Sequence, residues 1–456
     1  MFALMVREPE HQDQLQSMVF AFFKEYKIAR LLKQSNITKQ AGVTVLDVFR
    51  FIFGLVFTQR SLNRCLNQSD VGFGKDTVYR FLNSPRHNWR RFLLLLSSSA
   101  IQRITRLTSD DRTDVLIVDD SLFSRNRSKK VELLARVYDH VSHKFVSGFR
   151  MLTLGWSDGN SFVPLAFSLL SSENDRNRLR HVKDSIDKRT CGYKRRRESM
   201  QKATDALFEL LTQAQAKGVT AKYLLFDSWF AYPATILKVL EHSMHVVCML
   251  KAMPKVRYEH EGRHVTLKEL YAAVRKRRGR AKILASVIVT IGRDTDGAPV
   301  PVKIVFVRDR NRSRRWLALL STDTKLSDDE VIRIYGKRWD IECFFKVSKS
   351  HLRLAKELQG RTYDQMFAHT TVVFARYIML ATASRNEQDP RTIGALFFDC
   401  CDELDDIRFI DAIRLLMSLL RTALEVTDVA DTGVIDMIIE QFITSLPSPI
   451  KKRLAA

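Results

Sequence analysis

Two carboxylates follow short apolar runs directly: Asp119 after Val115–Val118, and Asp227 after Tyr223–Phe226. A carboxylate at a strand end is held rigidly and exposed at the sheet edge. One such acid also fits a turn; two in one α/β region are better evidence of a site. A third comes from IYGKRWDIECFFKVSKSHL, where Tyr335, Glu342 and Lys349 are seven residues apart and Arg338 precedes Glu342 by four. Seven residues turn a helix by about 700°, so these side chains share nearly one face. A surface Arg338–Glu342 ion pair with Lys349 as bystander has the same spacing. Three converging carboxylates repel unless a cation neutralises them, and oxygen donors suit Mg²⁺. Two ions about 4 Å apart activate an attacking oxygen and stabilise a departing one. Arg338 and Lys349 are then phosphate-holding groups, the Arg bidentate and the Lys a point charge. The chemistry is metal-dependent phosphoryl transfer, with water or a 3′-hydroxyl as nucleophile.

The elements that must position these residues follow from the patterning. Residues 1–108 read as helical, with helical periodicity through Val45–Phe57. Lys75–Leu96 reads as two short helices broken at Pro85, the first capped by Asp76 and the second carrying Trp89, Arg90 and Arg91. The pair is like a helix-turn-helix unit, or else a small helical packing domain. Strands are expected at Asp114–Asp120, within 144–159 and 161–170, at 222–227 and at His245–Leu250, with a helix at about 198–216. Residues 252–325 look like inserted material, mostly β, with strands at 283–291, 302–307 and 316–321 and basic loops. Ser327 and Glu330 form a capping-box pattern that opens one long helix to about residue 350.

In this order and spacing the acids resemble those of bacterial DDE transposases of the IS4 type. That family's third-acid signature is Tyr, two residues, Arg, three residues, Glu, six residues, Lys; Tyr335, Arg338, Glu342 and Lys349 match it in full. Asp119-Asp120-Ser121 is similar to the first-acid element, and Asp227-Ser228-Trp229 to the second. The resemblance is good over about 110–355 and looser before it. It implies an α/β, ribonuclease H-like core with a β-rich insertion between the second Asp and the Glu. It implies Asp119, Asp227 and Glu342 as catalytic metal ligands for Mg²⁺, two ions, with Mn²⁺ able to substitute. Tyr335, Arg338 and Lys349 would contact DNA at the element's end. Asp120 stands where the family often has Gly. Neighbours on a strand point to opposite sides, so only one of the two acids faces Asp227. The alignment favours Asp119 and leaves Asp120 to a turn or a supporting contact.

The resulting organisation is a helical DNA-binding region at 1–108, a core in two parts at 109–251 and 326–385, the insertion at 252–325, and an acidic helical region at 386–456. The chain has 456 residues and a net charge of +23. Residues 399–440 hold eleven acids against three bases, so the excess before residue 399 is larger still, at +28. Such an excess suits a polyanion. With 45% hydrophobic residues, the chain is too apolar for a disordered class. Its six scattered Cys do not form a disulfide scaffold. No membrane or targeting segment is expected, which makes the cytoplasm, at the nucleoid, the default location. Further DNA-contact candidates are Lys194, Arg195 and Arg196 in one basic run, Arg275 and Arg277 in another, and Trp316 as a base-stacking residue. Trp229 reads as a packing anchor, with base stacking the alternative, and Trp339 reads as core. The expected activity is cleavage at terminal inverted repeats and joining to target DNA by a homodimer. A nuclease without strand joining and a non-catalytic DNA-binding remnant are the alternatives.

Overall fold

The computed structural model describes residues 18–386 except 69–71, 108–111, 140–142, 183–185, 278–280, 310–314 and 359, together with 413–414, 416–422, 424 and 432–446. Among the described residues six α-helices come first: α1 (Met18–Glu25), α2 (Ile28–Gln34), α3 (Val45–Gly54), α4 (Leu62–Gln68), α5 (Lys75–Leu82) and α6 (Trp89–Arg106). Their apolar faces meet in an aromatic cluster in which Phe49 touches Phe53, Trp89 and Phe92. Gly74, not Asp76, is the N-cap of α5. The helix-turn-helix expectation changes at α6. Trp89 is buried, and Arg90 turns inward to pair with Glu198 and donate to the Phe167 carbonyl at 2.7 Å.

The core sheet follows, with β1 (Val115–Ser124), β2 (Ala135–Asp139), β3 (Lys144–Ser157), β4 (Phe162–Leu170), β5 (Tyr223–Phe226) and β6 (His245–Leu250). Between β4 and β5 lie α7 (Cys191–Ser199) and α8 (Ala203–Gln215), and α9 (Pro233–Glu241) joins β5 to β6. Strand β3 pairs antiparallel with both β1 and β4, whereas β1, β5 and β6 run parallel. The order β4-β3-β1-β5-β6 is the ribonuclease H-like α/β arrangement expected. Val115–Val118 and all of β5 are buried residue after residue. That pattern belongs to strands covered on both faces, and it explains why their sequences run apolar without alternation.

Residues after β6 form β7 (Arg257–His260), β8 (Arg263–Thr266), α10 (Leu267–Ala273), β9 (Ile283–Arg293), β10 (Pro299–Arg308) and β11 (Trp316–Ser321). They do not make a separate sheet. Strand β11 pairs with β6 through Ala318↔Leu250 to Ser321↔Val247, so the core sheet continues into the inserted strands and reaches eleven strands among the described residues.

The capping box at Ser327 and Glu330 is present, but the helix it opens is not continuous. α11 (Asp328–Gly336) and α12 (Trp339–Ser350) are separated at Lys337–Arg338. There the backbone tightens to i→i−3 bonds, Lys337 to Ile334, Arg338 to Tyr335 and Asp340 to Lys337. Such a 3₁₀ step within a helix marks a local constraint. The constraint is visible: Lys337 Nζ donates to the Thr113 and Asp158 carbonyls, and Ser157 donates to Asp340. α13 (Tyr363–Asn386) is long and apolar enough to cross a membrane by composition, but its apolar stretch is 94% buried inside the protein. Its Arg376 donates to the Ile52 and Phe53 carbonyls at the end of α3 and pairs with Glu357. α14 (Thr432–Ser445) is the last described helix. Most of the acidic segment from residue 386 lies outside the described residues.

Candidate active site

Strands β1 and β5 are parallel neighbours with Ile117 opposite Leu225. Asp119 and Asp227 each stand two residues further on, so the two acids lie side by side; Asp227 follows the end of β5, whereas Asp119 sits mid-strand, not at the strand end expected, because β1 runs on to Ser124 against β3. Adjacent strands are about 4.8 Å apart. The chain turns sharply after β5: Asp227 Oδ1 accepts the Trp229 N–H at 2.9 Å.

α12 brings the third acid alongside. Arg338 Nη1 donates to Asp119 Oδ2 at 3.1 Å, and Nη2 pairs with Glu342. One guanidinium thus joins the first and third acids. Seven residues after Glu342, Lys349 Nζ donates to Ser121 Oγ at 2.6 Å. Asp119 and Ser121 alternate along β1 and share a face, so α12 tracks that face with Arg338, Glu342 and Lys349 turned to it. The 3₁₀ step does not scatter the set. Tyr335, from α11, puts its ring 5.8 Å from the Arg338 guanidinium carbon.

Asp120 points the other way. It forms an ion pair with Arg150 on β3, and its N–H donates to Asp119 Oδ1 at 2.8 Å. Sequence reasoning missed Arg150, which has no local signal and reaches Asp120 only through the β1–β3 pairing.

The electrostatics follow from burial among like charges. Burial raises the Asp119 carboxyl to about 7; the charges of Asp227 and Asp120 push the same way, against Arg338 and the Asp120 N–H. Burial opposes the Arg338 charge, but Tyr335, Asp119 and Glu342 outweigh it and lift the guanidinium above its usual range. Burial pushes the Tyr335 phenol up to about 12. Burial lowers the Lys349 ammonium, partly offset by Asp139. Arg338 Nε is buried without a hydrogen-bond partner, and a buried orphan donor is costly unless a ligand satisfies it.

Among the described residues, no three His, Cys, Asp or Glu side chains are gathered closely enough to hold a metal ion in this arrangement. The reason is local, because Arg338 occupies the space between Asp119 and Glu342. The donor set itself is all carboxylate oxygen, from the middle of β1, the residue after β5 and one helix, which suits a hard divalent cation.

The remaining candidates divide. Arg195 and Arg196 are buried, not exposed to a backbone. Arg195 pairs with Asp364, and Arg196 pairs with Glu132 and Asp364. Their run lies on α7, whose inner face reaches the core, so the reading of both as phosphate contacts is corrected. Lys194 stays exposed and, with Arg91, Arg197 and Lys217, lines a cavity of about 570 Å³. Arg277 is exposed but pairs with Asp328 at 3.0 Å, and Arg275 is exposed. Trp316 stacks on Tyr271 at 4.7 Å and meets Phe306 edge-on at 5.2 Å. It packs against α10 and β10 in the inserted segment and is half-buried there. The expectations for the other two tryptophans reverse: Trp339 is 62% exposed, not core, and Trp229 is 47% exposed, not a packing anchor.

The sequence model of one family, described as DDE superfamily endonuclease, matches residues 53–300, just over half of the chain. The match includes Asp119 and Asp227 and ends before α11. No curated protein matches the chain.

Proposed function

The chain belongs to the DDE superfamily of endonucleases, and from that premise we propose that it is a transposase of the IS4 type, cutting DNA at the ends of an insertion sequence and joining the freed ends to target DNA. The observation that carries this reading is the Arg338 bridge from Asp119 to Glu342 beside Asp227. It supports the reading because it ties the first and third acids, from distant parts of the chain, next to the strand that ends before Asp227, with Tyr335 beside Arg338 and Lys349 further along β1.

Asp119, Asp227 and Glu342 are the residues that would hold Mg²⁺, two ions in the full site, with Mn²⁺ a substitute. When bound, such ions activate an attacking oxygen and stabilise a departing one. The chain's own groups bind and orient the DNA. Arg338 has a planar fork and an unsatisfied Nε, so it suits bidentate capture of a phosphate once it leaves the carboxylates. The Tyr335 ring steadies that guanidinium from the side. Lys349, held at Ser121, adds a point charge further along β1 and suits a neighbouring phosphate. The first step is hydrolysis of a phosphodiester, and in the second the freed 3′-hydroxyl attacks target DNA. A homodimer with one element end in each site satisfies the need to join two ends together.

The test is incubation of the protein with Mg²⁺ or Mn²⁺ and linear DNA bearing candidate terminal inverted repeats. Joined products support the transposase. Hydrolysis without joining makes it a nuclease, and binding without either makes it a non-catalytic remnant.

A further inference from the structure

The cavity of about 570 Å³ lies where α6 and α7 begin: Asn88, the N-cap of α6, and Cys191, the first residue of α7, both line it. The partial positive charge at a helix N-terminus favours an acid in the first turn and disfavours a base. Neither first turn holds an acid. Arg90 and Arg91 stand in the first turn of α6, and Lys194 ends the first turn of α7. Arg197 follows Lys194 by three residues on the same face, and Lys217, just past α8, completes the lining. Among the described residues Arg91, Lys194, Arg197 and Lys217 make no ion pair. Of the two acids in the lining, Glu198 is buried against Arg90, and Glu209 accepts from Gln201 at 3.0 Å. The wall behind the four cations is itself short of acceptors, since Arg90 Nε and Arg195 Nε have no hydrogen-bond partner.

Like charges on a solvated surface spread apart. Here elements set by α6, α7 and α8 hold four of them around one concavity, against the dipoles of two helices. A concavity lined by one sign of charge focuses the field and concentrates the opposite ion. Arg and Lys together suit phosphate, the Arg as a planar fork and the Lys as a point charge. The volume is that of a small-ligand pocket and exceeds one phosphate, so two adjoining groups fit. We propose that this cavity is a phosphate-binding site separate from the acids, taking two neighbouring phosphate groups through Arg91, Lys194, Arg197 and Lys217. No residue of β1, β5 or α12 lines it, so the inference stands apart from the reading of Asp119, Asp227 and Glu342. The groups come from a DNA backbone or from a free phosphorylated small molecule, and two probes separate these sources.

The test compares wild type with a cavity variant, Arg91→Gln, Lys194→Gln and Arg197→Gln combined. A control variant of equal charge loss carries Lys33→Gln, Lys130→Gln and Lys268→Gln at exposed positions elsewhere. One probe is inorganic pyrophosphate, titrated calorimetrically. The other is a fluorescent DNA duplex of arbitrary sequence, followed by anisotropy in EDTA across a range of salt. If the groups belong to DNA, the cavity variant binds the duplex about tenfold more weakly than the control variant. Its log–log salt slope then falls by about 2–3, and pyrophosphate competes with the duplex. If they belong to a free ligand, the cavity variant loses pyrophosphate binding about tenfold and matches the control variant on the duplex. Melting of each variant at the wild-type temperature excludes unfolding as the cause, and Lys194→Gln alone should show a smaller loss of the same kind. Pyrophosphate and duplex affinities that are both equal in the cavity and control variants overturn the proposal. DNA cutting enters neither readout, so its failure leaves this site standing.

Discussion

Removing the Arg338 side chain should strengthen binding of a divalent cation while weakening DNA cleavage, and the two opposite signs make Arg338→Ala informative. In the free protein the guanidinium makes two charge-assisted contacts, to Asp119 and to Glu342. A cation entering between those carboxylates must break both. Each such contact is worth about 1.5–3 kcal/mol when well buried. Here Glu342 is a third exposed and Arg338 only partly buried, so solvent screening reduces the total to roughly 1.5–3 kcal/mol for the pair. That corresponds to Mn²⁺ binding tighter by about 10- to 150-fold. Isothermal titration of Mn²⁺ into both proteins without DNA measures it directly. The same variant lacks the phosphate fork and should cut DNA at least tenfold more slowly. Mn²⁺ binding that is unchanged or weaker in Arg338→Ala would refute the idea that this guanidinium stands in the cation's place.

Glu357 is buried against Arg376 and His369, so Glu357→Gln leaves a buried guanidinium without its carboxylate. Urea unfolding should show a loss of about 3–5 kcal/mol, and a loss under 1 kcal/mol contradicts the account. Burial pushes the Asp364 carboxyl upward, but Arg195 and Arg196 outweigh that and hold it below its usual range. A depressed carboxylate contributes stability above its unfolded pKa of about 3.9, and that stability is lost as pH falls through the lower folded value. Wild-type stability should therefore drop steeply below about pH 4, and Asp364→Asn, less stable at pH 7, should show a shallower acid limb in the same urea series. Lys337→Met removes the donor to the Thr113 and Asp158 carbonyls. It should lower the melting temperature and slow cleavage together, because the α11–α12 junction sets where Arg338 and Glu342 point; unchanged cleavage would mean that the junction holds without it.

What was legible in the sequence, and what was not, follows the range of the forces involved. Val115–Val118 and Tyr223–Phe226 are readable as buried strands because both faces are covered; Asp227 does follow the end of its strand, but β1 continues past Asp119 to Ser124 through its pairing with β3, which its own composition does not mark. The capping box at Ser327 and Glu330 is a contact across three residues and survives intact. The break at Lys337–Arg338 was not readable, because the carbonyls that hold Lys337 belong to residues 179 and 224 positions away. The run Lys194–Arg197 looked like one basic surface because charge counting cannot see Glu132 and Asp364, which fold onto its inner face. The joining of the inserted strands to the core sheet was not readable, because edge pairing of β11 with β6 leaves no mark in either strand's composition. The spacing of Arg338, Glu342 and Lys349 did place all three on one face, but only the structure shows that the face meets β1.

The central claim is that Asp119, Asp227 and Glu342 form one metal-dependent centre for cutting and joining DNA. Its most direct test is Glu342→Gln, which keeps the size of the side chain and removes its charge. Both proteins are incubated with Mg²⁺ and end-bearing linear DNA, and products are resolved on a denaturing gel alongside a binding titration. The account predicts cut and joined products from the wild type, none from Glu342→Gln, and DNA affinity for the variant within a few-fold of the wild type. Cleavage by Glu342→Gln at the wild-type rate would place the chemistry elsewhere in the molecule.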